Sequence, residues 1–258
     1  MIRAMNRPRR TEFSVKLAQT QDELLAAQRL RYEVFVRELG GSGEMVDHEA
    51  GLERDRFDPH FDHLILTEKG DDEVIGVYRL LRGCQAPAAG GFYSEEEYDL
   101  TLLKASGRRI LELGRSCLHR DYRGGVAMHC LWRGLAKYVA AHNIEVLFGV
   151  ASFHGTDVAK LAAPLSLLHD RHLAPPAMRV KARTKAFQKM DLIDPATLDR
   201  RAAMVQVPSL IKAYLRLGGC VGEGAYIDHT FNTTDVCLIM ETAQLTGRQS
   251  RIFGLNGT

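Results

Sequence analysis

The sequence predicts one mixed α/β domain, and three observations carry that expectation. Stretches with an apolar residue at every second position alternate with stretches whose apolar residues recur three and four apart, the signatures of strands and of one-sided helices. No internal repeat and no linker divides the 258 residues, enough to bury a full core. With 45% hydrophobic and 26% charged residues, and 23 glycines and 8 prolines scattered, collagen-like, low-complexity and disordered classes are excluded.

Charge and cysteine usage bound the function further. Lys and Arg total 34 against 32 acids, a net +2 that announces neither a nucleic-acid nor a membrane partner, so any basic site must be local. Cys84, Cys117, Cys130, Cys220 and Cys237 are odd in number, widely spaced and free of C-x-x-C, which fits a reducing cytoplasm better than a disulfide or zinc framework. His60 with His63 and His169 with His172 have H-x-x-H spacing but no third ligand pattern, so no metal is expected. No apolar run approaches the length that spans a bilayer, leaving a cytoplasmic protein that at most lies on the inner face of the membrane.

In chain order, residues 1–12 read as a flexible basic tail carrying Arg3, Arg7, Arg9 and Arg10, a free end or a weak attraction for anionic headgroups. Residues 13–17 alternate as a strand. Thr20 with Glu23 then makes a capping box, and a helix runs to about Leu39 before Gly40, Gly41 and Gly43 break it. After an acidic stretch at 44–62, residues 64–66 and 74–78 flank a polar turn as paired strands. Residues 95–105 are expected to be helical, 109–118 a strand, and 126–141 a helix opened by Gly124 and Gly125, with Ala127, Leu131, Leu135 and Val139 on one face. A strand at 144–151, a helix at 156–169, an irregular strand at 178–190, helices at 198–205 and 208–217, and strands at 224–231 and 234–240 complete the expectation. The domain is read as 13–245, a core to about 190 and an elaboration over 191–245, with a tail at 246–258.

The segment 110–141 is richest in chemistry. A glycine-opened helix after a strand presents unpaired N–H groups and a positive dipole end, a site for phosphate or a plain strand-to-helix connection. Glu112 and Arg115 lie three apart on an otherwise core-directed strand, where a buried charge costs several kcal/mol unless it is paired or used. They read as a structural ion pair or as a carboxylate base beside a reacting group. Cys117 on the same strand reads as packing rather than as a nucleophile.

The run Leu111-Glu112-Leu113-Gly114-Arg115-Ser116-Cys117-Leu118, followed by Asp121-Tyr122-Arg123-Gly124-Gly125, resembles the fourth strand and acyl-donor loop of the GNAT acyltransferase superfamily. Arg31-Tyr32-Glu33-Val34-Phe35, Asp55-Arg56-Phe57-Asp58 and Val77-Tyr78-Arg79-Leu80 fall in the order shared by acyl-homoserine-lactone synthases and the ornithine N-acyltransferases of ornithine-lipid synthesis. Phe61-Asp62-His63-Leu64, Val207-Pro208-Ser209-Leu210 and Phe231-Asn232-Thr233-Thr234-Asp235 are similar to the latter branch, also labelled hemolysin-like, and the only tryptophan is Trp132.

That resemblance implies the GNAT fold, a mixed central sheet flanked by helices. It also implies transfer of a long-chain, 3-hydroxy acyl group to the α-amine of ornithine, with no permanently bound cofactor. The donor loop Tyr122-Arg123-Gly124-Gly125-Val126-Ala127 has Tyr where the superfamily pattern has Gln or Arg. The loss suits the single phosphate of a phosphopantetheine arm, held by Arg123, Gly124, Gly125 and Ala127, so acyl carrier protein is the expected donor and acyl-CoA the other candidate. Arg120, Arg123, Arg133 and Lys137 would face the carrier or form a solvated helix face. Glu112 is the expected base, directly or through a water, and Arg115 orients it or holds the substrate carboxylate. Backbone N–H groups at Ser116 and Cys117 would bind the oxyanion. Asp55, Asp58 and Asp62 would take the ornithine side-chain ammonium, with Arg31 and Arg79 bracketing the carboxylate or the acidic pocket. No acid for the leaving thiolate is assigned, because 152–170 contains no tyrosine. A lactone synthase, a transferase to another amino acid such as glycine or glutamine, and a non-catalytic carrier- or membrane-binding module are the competing readings.

Overall fold

A computed structural model describes residues 12–244, so the expected basic tail, apart from Glu12, and the tail at 246–258 lie outside the described residues. Strand β1 (Phe13–Leu17) leads into α1 (Gln21–Arg31), whose first turn is closed by the expected capping box: Thr20 Oγ1 accepts from Glu23 N–H at 3.2 Å while the Glu23 carboxylate takes the Thr20 N–H. The helix does extend to Glu38, but its last seven residues, Tyr32–Glu38, wind as a π-helix. There Leu39 N–H bonds the Val34 carbonyl five residues back. Gly40 (φ 76°) ends it.

Strands β2 (Asp62–Glu68) and β3 (Val74–Arg82) form the expected hairpin, followed by α2 (Thr101–Ala105), β4 (Ile110–Leu118), α3 (Val126–Ala141), β5 (Val146–His154) and α4 (Val158–His172). The continuous helix expected over 95–105 is not formed: a 3-10 turn at Tyr93–Glu96 and a two-residue strand at Tyr98–Asp99 precede the short α2. Tyr98 explains the break. Its hydroxyl lies 3.0 Å and 2.9 Å from the carbonyl oxygens of Gly224 and Asp235, tying this segment to the far hairpin. The irregular region at 178–190 contributes only β6 (Phe187–Gln188) to the main sheet. Helices α5 (Arg200–Gln206) and α6 (Ser209–Arg216), the short β7 (Cys220–Val221), and a hairpin of β8 (Ala225–Asp228) and β9 (Thr233–Glu241) complete the chain.

The main sheet runs β1-β2-β3-β4-β5-β9-β8-β6, with β7 added beside β9. β9 pairs antiparallel with β5 over its whole length, from Thr233 opposite His154 to Glu241 opposite Val146. β9, from the segment read as an elaboration, thus lies within the main sheet: its apolar residues Val236 to Met240 need two covered faces, and the sheet interior supplies them. Period-two alternation sorts the sheet's side chains. Leu64, Leu66, Tyr78 and Leu80 meet Leu131 and Leu135 of α3, whereas Ile65, Val77 and Cys117 meet Ala27, Leu30 and Val34 on the other face. No helix of the described residues is long and apolar enough to cross a membrane.

Two irregularities in the middle of the sheet create a site. Along β3 and β4, Val77 faces Cys117 while Arg79 faces Gly114, so the single Tyr78 opposes both Arg115 and Ser116. This is a β-bulge, and Arg115 takes the left-handed conformation (φ 50°) that bulges demand and non-glycine residues rarely adopt. The parallel pair β4 and β5 holds only from Ile110–Glu112 opposite Val146–Phe148, then parts. At the vertex, a Cβ on Gly149 would stand 2.1 Å from the Leu113 carbonyl oxygen, so only glycine lets the strands converge before they separate.

Candidate active site

The gap between β4 and β5 opens into a cavity of about 390 Å³ lined, among others, by Arg79, Glu97, Glu112, Arg115, Asp228 and Asp235. A smaller cavity on the same gap is walled by Leu113 to Ser116, Tyr78 and Tyr214. Beyond Glu112 the edge of β4 that faces β5 has no ladder partner, so its backbone groups open into the gap. This includes the bulge beside Ser116 and Cys117, where the sequence placed oxyanion donors. Ser116 Oγ is buried without a partner. Cys117 faces α1 in the core, and burial pushes its thiol up to about 12, which leaves it inert as a nucleophile.

Glu112 is 1% exposed and lines the cavity. Its carboxylate accepts N–H groups from Tyr93 (2.9 Å) and Ser94 (2.6 Å), anchoring the 3-10 turn. Burial raises its pKa, and the Ser94 hydroxyl and these backbone donors pull against that rise without cancelling it. Arg115 does not contact Glu112. Its Nε donates to Glu53 at 2.9 Å, its Nη2 lies 3.6 Å from Asp55, and its guanidinium stacks on Tyr93 and Phe231. The expected orienting bond from Arg115 to Glu112 is absent because the left-handed turn at residue 115 swings that side chain to the Glu53 side.

The acidic cluster is built differently from the expectation. Asp58 (3% exposed) accepts from Arg31 at 2.7 Å, Arg79 at 2.8 Å and Gln28 at 2.9 Å. Asp55 takes Arg79 Nη1 on both oxygens, and Glu53 bridges Arg31 and Arg115. Asp62 stands apart, 2.5 Å from the Tyr138 hydroxyl and 3.4 Å from Arg82. Three buried arginines thus meet three carboxylates, Glu53, Asp55 and Asp58, and the network is neutral. Burial by itself would raise the Glu53 carboxyl, but Arg115 and Arg31 outweigh it and hold it at about 2. The ammonium cradle expected on Asp55, Asp58 and Asp62 is not formed, since two of these charges are consumed and the third is remote. Arg31 is walled off from the cavity behind the same network. Arg79 reaches it, stacked on Phe61, with Nε and Nη2 buried and unpartnered.

On the donor side, Gly124 (φ 75°) and Gly125 precede α3, whose N-terminus has no side-chain cap and no acid in its first turn. Side chains added at either glycine would meet open space. Arg123 donates to the Leu118 carbonyl and pairs with Glu38, and Ala127 is buried in the core. Arg120, Arg133 and Lys137 are exposed, the last two one turn apart on α3.

Comparison with known proteins fits this geometry. Residues 30–133 match the family model described as an acetyltransferase (GNAT) domain. The chain is 56% identical over 246 residues to the L-ornithine N(alpha)-acyltransferase of Rhodobacter capsulatus, covering 93% of this chain and 94% of that protein. The chain belongs to the L-ornithine N(alpha)-acyltransferase family. The Brucella abortus member is 39% identical, covering 94% of this chain and 89% of that one. Among solved structures, the CoA-dependent acyl-homoserine lactone synthase MesI superposes with a TM-score of 0.53 at 14% identity, over 95% of this chain and 97% of that one. BjaI, another such synthase, gives 0.52 at 14% identity, over 96% and 91%. These establish the shared fold, the mixed sheet flanked by helices that the motifs implied.

Sequence reasoning passed over several residues that this acyltransferase places in the two cavities. Tyr78 and Tyr214 meet hydroxyl to hydroxyl at 2.5 Å, and Tyr214 comes from α6, far from the segment where a tyrosine was sought. Glu97 and Asp235 are also present, 6% and 3% exposed. For Asp235 a signal existed: it interrupts an apolar strand as Glu112 does, and the same cost of burying a charge applies. Glu97 gave none, hidden in the run Glu95-Glu96-Glu97 of a presumed surface helix.

Proposed function

We propose that the protein transfers a long-chain, 3-hydroxy acyl group from the phosphopantetheine thioester of acyl carrier protein to the α-amine of L-ornithine, giving lyso-ornithine lipid. The observation that carries this reading is the cavity at the parting of β4 and β5, where free backbone donors, a buried carboxylate and unpartnered guanidinium nitrogens converge in a member of this family. The thioester lies along the open edge of β4, its phosphate over Gly124 and Gly125 at the uncapped start of α3, beside Arg123 and Ala127. Arg120, Arg133 and Lys137 meet the acidic carrier.

Only the free base of the amine attacks a thioester, so a proton must leave first. Glu112, directly or through a water, receives it; burial has shifted its carboxyl upward, toward the range where a base works at neutral pH. Arg115 and the open Nε and Nη2 edge of Arg79 fix the substrate carboxylate. The amine adds to the carbonyl, the bulge N–H groups at Ser116 and Cys117 bind the oxyanion, and collapse expels the pantetheine thiolate. The Tyr78–Tyr214 pair, kept protonated by burial, hydrogen-bonds the departing sulfur.

Purified enzyme given ornithine and 3-hydroxyacyl carrier protein should yield a product with the mass of N-acylornithine, at a rate at least about tenfold above that with the matching acyl-CoA. Equal rates would remove the carrier from the reading. Glu112→Gln should fold and lose about 10²-fold in turnover, and a near-normal rate would take Glu112 out of the base's role.

A further inference from the structure

Besides the arginine network, the cavity is lined by a second group of charged residues, all of them acids. Glu97, Asp228 and Asp235 bring one carboxylate oxygen each to within 4.8 Å of one another. Glu97 Oε2 and Asp235 Oδ1 are buried, accept no hydrogen bond and belong to residues that line the cavity. Leaving a buried carboxylate oxygen without a donor is costly, so a fold that retains two must gain elsewhere.

Their placement is built. Tyr98, bonded to the β8–β9 hairpin, fixes its neighbour Glu97, whose own carbonyl accepts Arg183 N–H at 2.7 Å. Asp228 is held by the N–H groups of Thr230 (2.7 Å) and Phe231 (3.1 Å), and Asp235 by the Thr233 hydroxyl at 3.2 Å. Burial and mutual repulsion raise the titration of both Glu97 and Asp235. An independent observation gives the cavity its polarity: Arg79 presents buried, unpartnered Nε and Nη2. One cavity therefore offers a donor fork for a carboxylate and a triad of acceptors for a cation.

We propose that Glu97, Asp228 and Asp235 form the subsite for the side-chain ammonium of the acceptor amino acid and select an acceptor that carries one. An ammonium has three N–H donors and no acceptor, which matches three converging carboxylates. It also supplies the positive charge that this wall lacks. The inference rests on the ornithine reading above and assigns the selective contact within it.

The test compares ornithine with norvaline, the same carbon chain without the terminal amine, in wild type and in Glu97→Gln, Asp235→Asn and the double variant. Wild type should favour ornithine over norvaline by about 10²-fold or more in kcat/KM, because a site built for a polar group rejects its apolar isostere. The double variant should lose most of that preference, with kcat/KM for ornithine falling and that for norvaline, no longer facing unpaired carboxylates, rising. Ornithine should raise the melting temperature of wild type and not of the variant. Near-UV circular dichroism checks that each variant is folded, and either single variant serves if the double is not.

A variant that keeps the ornithine preference overturns the subsite while leaving ornithine acylation intact. A wild type that acylates no ornithine overturns the underlying function instead. A preference abolished by chelator and restored by magnesium or calcium overturns the proposal in favour of a metal site.

Discussion

Asp235→Asn should stabilise the free enzyme at neutral pH, and the gain should disappear in acid. Burial, with Asp228 beside it, pushes the Asp235 carboxyl up to about 6 even though the Ser152 and Thr233 hydroxyls work the other way. In the unfolded chain the same group titrates near 3.8. A carboxyl whose folded value is raised binds its proton more tightly in the folded state, so stability falls as pH climbs from about 4 to about 6. Two units at about 1.4 kcal/mol each amount to roughly 3 kcal/mol of penalty, complete above about pH 6 and nearly absent below about pH 4. Asparagine fills the same volume and can still accept from Thr233, at a cost of about 1 kcal/mol if that bond weakens. The net gain is about 2 to 3 kcal/mol. At about 2 to 4 °C per kcal/mol for a chain of this size, the melting temperature should rise by roughly 4 to 12 °C at pH 7.5. Urea denaturation of wild type and variant at pH 7.5 and pH 4, without ornithine, reads the difference directly. A variant less stable at pH 7.5, or one with the same advantage at both pH values, would show that Asp235 is not held at a cost.

Glu53→Gln should do the opposite, costing about 3 to 5 kcal/mol at pH 7 because it leaves Arg31 and Arg115 facing each other without their shared carboxylate; a urea midpoint unchanged from wild type would refute this. Since the folded Glu53 carboxyl sits at about 2, below its unfolded 4.5, its contribution is full above about pH 4.5 and fades toward pH 2. Gly149→Ala puts a methyl 2.1 Å from the Leu113 carbonyl oxygen, backbone that cannot rotate away, so the strands must shift. Stability should drop by about 1 to 3 kcal/mol and acyl transfer with it, and a variant of normal rate and midpoint would show the vertex to be loose. Reversing Arg133 and Lys137 to Glu should raise the KM for acyl carrier protein several-fold at low salt, with ornithine KM unchanged, and the gap should narrow as salt screens the surface. A KM insensitive to both the reversal and the salt would place the carrier elsewhere.

The elements were legible wherever local chemistry decides them. The capping box at Thr20 and Glu23 and the β2–β3 hairpin follow from residues within a few positions of one another. Non-local demands were not legible. The π-winding at Tyr32–Glu38 and the left-handed Arg115 have no local signature, because a bulge is a mismatch between two strands and belongs to neither. The helix expected over 95–105 is broken by Tyr98 reaching partners more than a hundred residues away. Of the candidate site, Glu112, Arg115 and the glycines of the donor loop were named on the strength of one contiguous segment, and the first two line the cavity. The role given to Asp55 and Asp58 went astray because proximity in sequence says nothing about which cations a fold brings to them, and here it brings three.

The two walls of the cavity therefore answer to substitution in opposite ways. Removing any member of the Arg31, Arg79, Arg115, Glu53, Asp55 and Asp58 network strands a buried charge, so that wall resists change. Removing Glu97 or Asp235 relieves repulsion, so that wall is free to change as far as folding is concerned and is held only by what binds there. Acceptor choice is accordingly lodged in the one part of the site where altering it does not threaten the fold. The residues proposed to supply it come from the position just after the 3-10 turn and from a distant hairpin, joined through Tyr98, rather than from β4.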